Sequence, residues 1–564
     1  MEIYIIGIVG IVLFVIVQFY LAQRNQKRRF LEKLKATWGK VPQREYSYEE
    51  FESITHYYKN RIEKSETTAS EVQYIDDITW NDLDMDQIFM QMNNTHSSPG
   101  EEYLYYMLRT PVTSKEILDE RERLISFFQK NEEERRTVQL AYGKIGRTKG
   151  LSASDYISRL NDVQRESNWN HYLIFILYAV CAVIFSYEAS LGIMCFVGAF
   201  IYAAVRYYRR KAEIEAYFTC FKIISNIISN IPMLKKCNVS AIETYVARME
   251  KEASELKGIN KSMGMFPSDN LGGSIFDAIL DYVRIATHMD LIKFNNMLSI
   301  FIKKQDALET IIENFGFIES MIAVASFRES LDYYSLPVFT DKKVIEFEEM
   351  YHPVLDKPVA NSIHSERCVL ITGSNASGKS TFLKSAAINA ILAQSANTVA
   401  AKAYKACWFR VMSSMALKDN LLGSESYYIV EIKSLKRVLD AVNDKITVLC
   451  FVDEVLRGTN TVERIAASSQ ILKSLAERNV LCFAATHDIE LTHILESKYD
   501  NYHFTEHVTD NDITFDYKLN RGRATSRNAI RLLKMIGYDD DIIDKANDNA
   551  QYFLSEGKWK QVNS

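Results

Sequence analysis

The chain has 564 residues, is 47% hydrophobic and carries a formal net charge of −5 at a sequence pI of about 6.1. This length allows several domains with sizeable cores, and the acidic balance gives no overall sign of a polyanionic partner, although a local basic groove can exist on an acidic protein. The 8 prolines and 21 glycines fit a mostly helical chain with one compact α/β domain, and the 8 cysteines form no C-x-x-C pair that would indicate a zinc site or a disulfide framework.

The first predicted element is a membrane-spanning helix within residues 1–22. Ile3 to Leu21 carries no charge and is close to the ~20 residues that a spanning helix needs. The basic residues follow this stretch at once (Arg24, Lys27, Arg28 and Arg29). A signal peptide has the reverse order, with a positive start and a small-residue cleavage site. We therefore expect a membrane anchor, followed by a cytoplasmic helical linker over residues 23–79.

A second apolar region, residues 171–208, interrupts an otherwise helical part of the chain. His171 to Tyr187 and Ala189 to Tyr208 are each long enough to span a membrane, and only Glu188 separates them. Basic residues close the second run (Arg206, Arg209, Arg210 and Lys211). These runs predict a transmembrane hairpin between helical residues 80–170 and 209–337. The alternative is a soluble helical hairpin that is buried in the protein.

The basic flanks determine the expected topology, because positively charged segments stay on the cytoplasmic side. The N-terminus is then outside and residues 22–170 are inside. The hairpin turns at Glu188, and the remainder of the chain is inside. We therefore expect a multi-pass protein of the cell membrane with three spans.

The last domain, residues 338–564, is predicted to be α/β. A strand-rich connector, Val338 to Glu346, leads to the buried strand Cys368–Thr372, and Gly373 to Ser380 then fits G-x-x-x-x-G-K-S. This order of strand, glycine loop and helix favours a phosphate-binding loop over a chance glycine-rich turn. The predicted nucleotide-binding residues are Gly373, Ser374, Asn375, Ala376, Ser377, Gly378, Lys379, Ser380 and Thr381.

Two further strands supply the predicted catalytic groups. Thr447–Val452 ends in Asp453 and Glu454, where Asp453 and the Ser380 hydroxyl can hold Mg²⁺ and Glu454 can polarise an attacking water. Val480–Ala485 leads to His487, which we place near the γ-phosphate. Taken alone, a solvated Asp-Glu pair is common at strand ends, and a lone histidine is more often structural than catalytic. Together with the loop they predict an ATPase that uses ATP and Mg²⁺.

Four motifs resemble those of the MutS mismatch-repair ATPases. The segments "ITGSNASGKST", with Asn375 in the loop, "VDEVLRGTNTVE" and "FAATHDIELT" are similar to that family's two Walker motifs and its histidine motif. The segment "DNLLGSESYYIVEI" is similar to the loop that reaches the neighbouring subunit's nucleotide, where Ser424 and Ser426 would act in trans. Asn93 to Phe128 also resembles the start of the MutS core domain.

The resemblance implies a multidomain α plus α/β fold, in which a mostly helical MutS-like core and lever domain precedes a C-terminal ABC-type P-loop ATPase domain. It also implies a homodimer through the ATPase domain, with ATP held between Lys379 of one subunit and Ser426 of the other. The hairpin stands where the family's lever helices lead to a DNA clamp. We therefore expect the clamp to be exchanged for a membrane anchor in contact with lipid.

Several departures affect the expected DNA role. The chain lacks the length for the family's mismatch-reading domain with its Phe-x-Glu wedge. Phe317-Ile318-Glu319 has that pattern, but in the helical core, where packing is the simpler interpretation. Leu456 replaces a usual glycine, and Asn528-Ala529 replaces a usual Tyr-Gly.

Two functions remain open on the sequence. The first is a membrane-anchored MutS-family ATPase that binds mismatched or branched DNA in a repair-like role. The alternative is an ATP-driven conformational switch that acts on a membrane or protein partner without binding DNA. A transporter is disfavoured, because three spans form no repeated bundle and carry no buried charge for a substrate path.

Overall fold

The computed structural model describes residues 2–67, 73–148, 150–164, 166–256, 275–374, 377–415, 427–457, 459–508, 513–524, 530, 533 and 536–560, of which residues 2–16, 19, 66, 67, 275–280, 427, 507, 508 and 513 are described by their backbone alone. Most of the described chain is helical, and its strands lie in the C-terminal part. The chain divides into two units. The helical unit comprises Met1–Val72, Phe89–Thr110 and Lys115–Ser330, and the sheet unit comprises Gln73–Ile88, Pro111–Ser114 and Leu331–Ser564.

Fourteen helices are described before the first strand. They are α1 (Glu2–Thr37), α2 (Tyr48–Thr67), α3 (Asp77–Asp82), α4 (Met85–Met92), α5 (Ser98–Arg109), α6 (Lys115–Lys130), α7 (Glu132–Tyr142), α8 (Ala153–Ser158), α9 (Trp169–Tyr187), α10 (Ala189–Lys236), α11 (Glu243–Glu255), α12 (Ile275–Thr287), α13 (Met289–Lys303) and α14 (Gln305–Ser330). Two short 3₁₀ turns, Leu160–Asp162 and Ser240–Ile242, lie between them.

Helix α14 packs against α5 at the centre of the helical unit. At Gly316 the two helices are so close that a Cβ atom would lie 2.5 Å from the carbonyl oxygen of Pro99. Ile318 and Glu319 are buried, and the Glu319 carboxylate accepts hydrogen bonds from the His96 backbone N–H and the Ser97 hydroxyl. Burial raises the pKa of Glu319 to about 7. The Phe-x-Glu triplet is therefore part of the core packing, as the sequence indicated.

Helices α9 and α10 form a helical hairpin that turns at Glu188, which is extended (φ −144°, ψ 108°). Among the described residues, three helices are long and apolar enough to cross a membrane: α9, α10 and α14. The apolar segment of α14 is 83% buried inside the protein, whereas those of α9 and α10 are each only 17% buried. Helix α14 is therefore a core helix, and the hairpin leaves an apolar surface uncovered.

Helix α10 extends well past the predicted boundary at residue 208 and continues unbroken to Lys236. Its second half is buried among the other helices of the unit, for example through Phe221, Ile224 and Ile227. The arginines that end the apolar run therefore mark a change of environment along one continuous helix of 48 residues.

The sheet unit contains ten described strands and five further helices. The strands are β1 (Val338–Phe339), β2 (Ile345–Met350), β3 (Asn361–Ser365), β4 (Cys368–Thr372), β5 (Ala403–Ala406), β6 (Phe409–Ser414), β7 (Thr447–Asp453), β8 (Val480–Thr486), β9 (Tyr499–Val508) and β10 (Ile513–Arg521). The helices are α15 (Lys379–Ala396), α16 (Tyr427–Asp440), α17 (Thr461–Ala476), α18 (Ile489–Ile494) and α19 (Asp540–Glu556).

These strands form two sheets. A four-stranded mixed sheet has the order β1-β5-β2-β3, and a six-stranded sheet has the order β10-β9-β4-β8-β7-β6. In the larger sheet β9, β4, β8, β7 and β6 are parallel, and β10 pairs antiparallel at the edge. Strands β4, β7 and β8 coincide with the predicted strands. Their buried, continuously apolar sequences are typical of central parallel strands.

Two early segments of the chain, residues 73–88 and 111–114, pack within the sheet unit, where the sequence suggested linker and helical core. Helix α3 lies beside β6: the Ser413 backbone N–H donates to Thr79 Oγ1 over 3.1 Å, and the Ser413 hydroxyl donates to Asp82 Oδ2 over 2.6 Å. The Val112 N–H donates to the Gln394 carbonyl over 3.0 Å. Contacts more than 280 residues apart in sequence leave no local pattern, so periodicity alone misses them.

Candidate functional site

Three predicted segments converge at one edge of the six-stranded sheet. Strands β4, β8 and β7 are parallel neighbours, with Thr372 paired to Thr486 and Ala485 paired to Asp453. The residues that follow these strands therefore emerge side by side. In open α/β sheets this carboxyl edge is where ligands bind.

The loop between β4 and α15 requires glycine at its last position. Gly378 has φ +102°, and a Cβ there would lie 3.1 Å from Cδ1 of Tyr517. Gly373, with φ +149°, opens the loop. Helix α15 begins directly after it at Lys379, so the first amides of that helix point into the loop, where an anion is favoured.

Polar atoms in this loop are buried without partners. The hydroxyl oxygens of Ser374 and Ser377 are buried and have no hydrogen-bond partner among the described residues. Such atoms are rare in folded proteins unless a ligand or water satisfies them. The loop is therefore chemically suited to a polar ligand. The predicted loop residues Asn375 and Ala376 lie outside the described residues.

Lys379 is buried, with 5% of its surface exposed. Its Nζ donates to the carbonyl oxygens of Gly373 (2.8 Å) and Ser374 (2.6 Å). Burial lowers the pKa of Lys379, while the nearby carboxylates of Asp453 and Glu454 oppose that shift. The ammonium group is thus held at the loop by backbone contacts and faces the two acids.

Ser380 and Asp453 meet as the sequence predicted for a magnesium site. The Ser380 hydroxyl donates a short hydrogen bond to Asp453 Oδ2. Asp453 Oδ1 is buried and has no hydrogen-bond partner in the described part of the chain. Burial raises the pKa of Asp453. An orphaned carboxylate oxygen beside a hydroxyl is the oxygen donor set that Mg²⁺ prefers, so these residues fit the ion.

Glu454 contacts both a histidine and an arginine. Its Oε1 lies 2.9 Å from His487 Nε2, and its Oε2 lies 2.7 Å from Arg457 Nε. Burial and the charge of Lys379 lower the pKa of His487, so its ring is neutral near pH 7 and its Nε2–H can donate to Glu454. Arg457 is an additional site residue: the sequence identified it only as part of a motif, without a role.

The backbone after β7 adopts a left-handed conformation at Glu454 (φ +53°) and Leu456 (φ +57°). This conformation explains why glycine is usual at position 456, since it costs other residues about 1–2 kcal/mol. Leu456 is only 1% exposed, and burying such a side chain is worth about 1.5–3 kcal/mol, which offsets the strain. The substitution noted in the sequence is therefore accommodated by the core.

Glu431 is a second residue that sequence reasoning missed. It lies on α16, is 5% exposed, and accepts a short hydrogen bond from the Leu456 backbone N–H. Burial raises its pKa. Glu431 thus ties the loop that carries Glu454 and Arg457 to the helix that follows the predicted trans-acting segment. A glutamate inside an amphipathic helix gives no sequence signal for such a contact.

A cavity of about 420 Å³ adjoins the loop. On one side it is lined by Ser374, by residues 377–381 including Thr381, and by Glu454. The lining also includes a largely uncharged group of side chains, namely His352, Leu355, Pro358, Val359, Asn361, Phe504 and Tyr517, together with the cation Lys357. Burial lowers the pKa of His352 to about 4, so its ring is neutral at pH 7. The cavity therefore joins a phosphate-like end to a wall on which an aromatic ring can pack.

The predicted trans-acting residues Ser424 and Ser426 lie outside the described residues. The chain on either side of them is firmly held. The Met415 N–H donates to Asp82 Oδ2 over 2.9 Å, and Arg437 on α16 contacts Asp76. Met415, which precedes residues 416–426, and Arg437, which follows them, thus both contact the stretch that contains α3.

Residues 369–553 match the family model for MutS domain V. The chain is 33% identical over 216 residues to MutS protein homolog 4 of Mus musculus, covering 35% of this chain and 22% of that protein. It is 27% identical over 282 residues to the DNA mismatch repair protein MutS of Natronomonas pharaonis, covering 48% of this chain and 32% of that protein. For the Streptococcus agalactiae protein of the same name, the identity is 28% over 268 residues, covering 44% of this chain and 31% of that protein.

The matched part of the chain thus spans between 22% and 32% of the length of these three relatives. The domain V match begins within β4 and includes the glycine loop, the Asp453–Glu454 pair and His487. The predicted recognition is confirmed at the level of the family. The chain thus carries a region at residues 369–553 that matches MutS domain V.

Proposed function

We propose that the protein is a MutS-type ATPase that binds Mg²⁺ and ATP in the cavity beside the glycine loop and hydrolyses the γ-phosphate. The observation that carries this proposal is the convergence of Lys379, the Ser380–Asp453 pair and the Glu454–His487 pair at one sheet edge. Each group has the chemistry that phosphoryl transfer to water needs. The match of residues 369–553 to MutS domain V supports the same activity.

Each residue has a distinct part in this proposal. The loop amides and Lys379 bind the outer phosphates, and the neutral wall around His352 and Tyr517 receives the base. Bound Mg²⁺, held by Ser380 and Asp453, would neutralise charge on the phosphates. Glu454 orients the attacking water and accepts a proton from it. His487 holds the Glu454 carboxylate in position through the 2.9 Å contact.

Arg457 competes for the same carboxylate. While its Nε remains 2.7 Å from Glu454 Oε2, that oxygen is occupied by a cation and is not available to an attacking water. The Arg457 side chain is 62% exposed and can rotate away at little cost. Hydrolysis therefore requires either release of Arg457 or use of the second carboxylate oxygen.

The ATP site is proposed to be completed by a second copy of the chain. The family resemblance implies that Ser426 of the partner contacts the phosphates bound at Lys379. Support from this chain is indirect: Glu431 links the helix after that serine to the loop that carries Glu454. Binding of the segment that contains Ser426 to a partner subunit would thus influence the position of the Glu454 carboxylate.

We further propose that the hairpin of α9 and α10 crosses a membrane, together with the predicted span in α1. Large apolar side chains on the hairpin are more than half exposed, including Ile176, Val183, Met194, Ile201 and Val205. Water contact with such a surface is unfavourable by roughly 25 cal/mol per Å², so it requires lipid or a protein cover. The arginines at the end of the apolar run favour the cytoplasmic side for that end.

DNA is the family-implied ligand, since relatives of this chain are named DNA mismatch repair proteins. A second candidate function is an ATP-driven switch that acts on a membrane or protein partner. The insertion of an apolar hairpin into the helical unit favours this second function. The two proposals share the ATPase and differ only in what the helical unit binds.

ATP turnover by the detergent-solubilised chain, with matched, singly mismatched and branched DNA, tests these proposals. Because Glu319 is buried and the Phe317 ring packs against Tyr103 and Tyr245, the Phe317–Glu319 triplet is not placed to stack on a base. We therefore expect less than about tenfold (~1.4 kcal/mol) discrimination of a mismatch in binding. Any binding should weaken steeply with salt. A hundredfold preference for mismatched DNA would contradict this expectation. If none of the DNAs binds at low salt and none changes ATP turnover, the result would favour the membrane switch.

A further inference from the structure

A polar cavity of about 320 Å³ lies at the base of the hairpin, where the chain enters α9 and where α10 passes beside it. We call it the arginine pocket. Its walls include Arg206, Arg209 and Arg210 from α10, Glu166 from the segment before α9, His171 from α9, and Glu213. None of these residues belongs to the candidate ATP site, which lies in the sheet unit.

The charges in the arginine pocket do not balance. Glu166 pairs with Arg206 (2.7 Å) and lies 3.4 Å from Arg210 Nε, and Glu213 pairs with Arg210 (2.9 Å). Arg209 makes no hydrogen bond or ion pair with the part of the chain that the structure describes. Three guanidinium groups thus face two carboxylates. One positive charge is left over for an anion.

Two buried nitrogen atoms in this pocket lack a hydrogen bond. They are Nε2 of His171, a residue that is only 2% exposed, and Nε of Arg210, and neither has a hydrogen-bond partner within the described ranges. The other ring nitrogen of His171 holds the ring in place, because its Nδ1 lies 2.9 Å from Nδ1 of His288. Nε2 of His288 in turn lies 2.8 Å from the Ala203 carbonyl oxygen. His171 is therefore a buried polar side chain whose Nε2 makes no described hydrogen bond and lies on the pocket wall, 3.7 Å from Glu166 Oε2.

The tautomers follow from this chain of contacts. A carbonyl oxygen only accepts, so His288 Nε2 carries the hydrogen and its neutral Nδ1 accepts from His171. His171 Nε2 then presents a lone pair beside Glu166 Oε2, 3.7 Å away, so that these two acceptors can share one hydrogen-bond donor. The pocket thus combines guanidinium donors, suited to a phosphate, with one acceptor for a neighbouring hydroxyl or ammonium group.

Exposed aromatic side chains surround the end of the hairpin that carries the arginine pocket. Trp169 and Tyr172 at the start of α9, and Tyr202 and Tyr208 on α10, are between 43% and 71% exposed. All four lie at the end of the hairpin that carries the pocket. Tyr and Trp concentrate at the level of lipid headgroups, so the pocket lies at the depth of the lipid phosphates when the hairpin spans a bilayer.

We propose that the arginine pocket binds the phosphate of an anionic membrane lipid whose headgroup carries a hydrogen-bond donor, with Arg209 and Arg210 on the phosphate and His171 on that donor. This inference rests on the membrane placement of the hairpin and goes beyond the ATPase function. A free phosphate or phosphate ester offers the same chemistry from water. The source of the phosphate is therefore part of the test.

The test uses the full-length chain in detergent and native mass spectrometry, which counts bound lipids. Phosphatidylglycerol, which is anionic and has hydroxyl donors, is titrated against phosphatidylcholine, which has neither property. We expect one phosphatidylglycerol to be retained with at least tenfold preference. Arg209→Gln should reduce that preference severalfold, and Arg206→Gln, Arg209→Gln and Arg210→Gln together should abolish it.

A matched control removes the same charge beside the other predicted span. Arg24, Lys27 and Arg29 are exposed, and their combined replacement by Gln should leave the preference within about twofold. Equal loss in both triple variants would overturn the proposal, because only general charge would matter. The proposal would also be overturned if the chain showed no preference for phosphatidylglycerol. If that chain still required detergent, the proposed membrane placement of the hairpin would nevertheless stand.

Competition between soluble phosphates and the bound lipid distinguishes the two possible sources of the phosphate. We expect inorganic phosphate and sn-glycerol 3-phosphate to displace no lipid at concentrations a hundredfold above the lipid. Full displacement by either would overturn the lipid assignment in favour of a soluble anion. Arg209→Gln is the most informative single variant, because losing a side chain without a described partner should not disturb folding.

Discussion

Glu454 and His487 are joined by a contact of 2.9 Å between Oε1 and Nε2, across the ends of two adjacent parallel strands. The contact links the predicted water-activating group to the histidine that is predicted to lie near the γ-phosphate. Because burial keeps the histidine neutral, it can donate to the carboxylate without adding a full positive charge beside it.

Replacing His487 by Ala should slow ATP turnover and leave ATP binding almost unchanged. A hydrogen bond to a charged group is worth about 1.5–3 kcal/mol, which corresponds to roughly a 10- to 100-fold loss in rate. The measurement is steady-state phosphate release together with equilibrium nucleotide binding. His493→Ala, at an exposed histidine on α18, is the control and should stay within twofold. Parental turnover in His487→Ala would show that the contact has no part in hydrolysis.

Glu431 should act as a positioning residue for the Glu454 loop. Glu431→Leu leaves the buried Leu456 N–H without its acceptor, at a cost of about 1–3 kcal/mol, and we expect about a tenfold loss of turnover with unchanged ATP affinity. Glu431→Gln keeps an acceptor oxygen and should retain turnover within about threefold. If both variants lose activity equally, the charge of Glu431, and not its hydrogen bond, is what matters.

Acid should destabilise the sheet unit through His352. The folded pKa of about 4 lies below the ordinary value of 6.5, so the unfolded chain binds the proton more readily between these values. Stability from this group is complete above pH 6.5 and falls as the pH drops towards 4, by about 2 kcal/mol at pH 5. The Val354 N–H donates to His352 Nδ1 over 3.3 Å, as a neutral ring allows.

The unfolding midpoint at pH 7.5 and pH 5.0 tests this expectation. His352→Gln should show a smaller acid-induced loss than the parental chain. His364→Gln, at an exposed histidine on β3, should behave like the parental chain. Identical acid sensitivity in all three chains would mean that burial of His352 does not contribute.

The hairpin topology predicts opposite labelling at its two ends. A cysteine replacing Glu188 should react with a membrane-impermeant maleimide added to intact cells, whereas one replacing the exposed Glu215 should react only after lysis. Labelling is scored above that of the parental chain, which has cysteines of its own. Reaction at both positions in intact cells, or recovery of the chain in a detergent-free soluble fraction, would contradict the membrane placement.

The sequence predicted most of the sheet edge correctly, because buried parallel strands are continuous apolar runs and the glycine loop has a fixed spacing. It did not predict the end of α10, since the arginines near residue 208 mark a change of surroundings and not a helix stop. Nor did it predict the contacts of α3 with Ser413 or of Glu431 with Leu456. Both depend on tertiary packing between distant segments, for which a single sequence has no periodic signal.

Comparing ATP binding with single-turnover hydrolysis in Glu454→Gln and Lys379→Ala tests the proposed ATPase site most directly. Glu463→Gln, at an exposed glutamate in the first turn of α17, serves as the control. We expect Glu454→Gln to bind ATP normally but to hydrolyse it at least about 100-fold more slowly, since general base catalysis contributes roughly 10²–10⁴. Lys379→Ala should instead lose ATP affinity, and Glu463→Gln should match the parental chain. Hydrolysis by Glu454→Gln at the parental rate would contradict the proposed site.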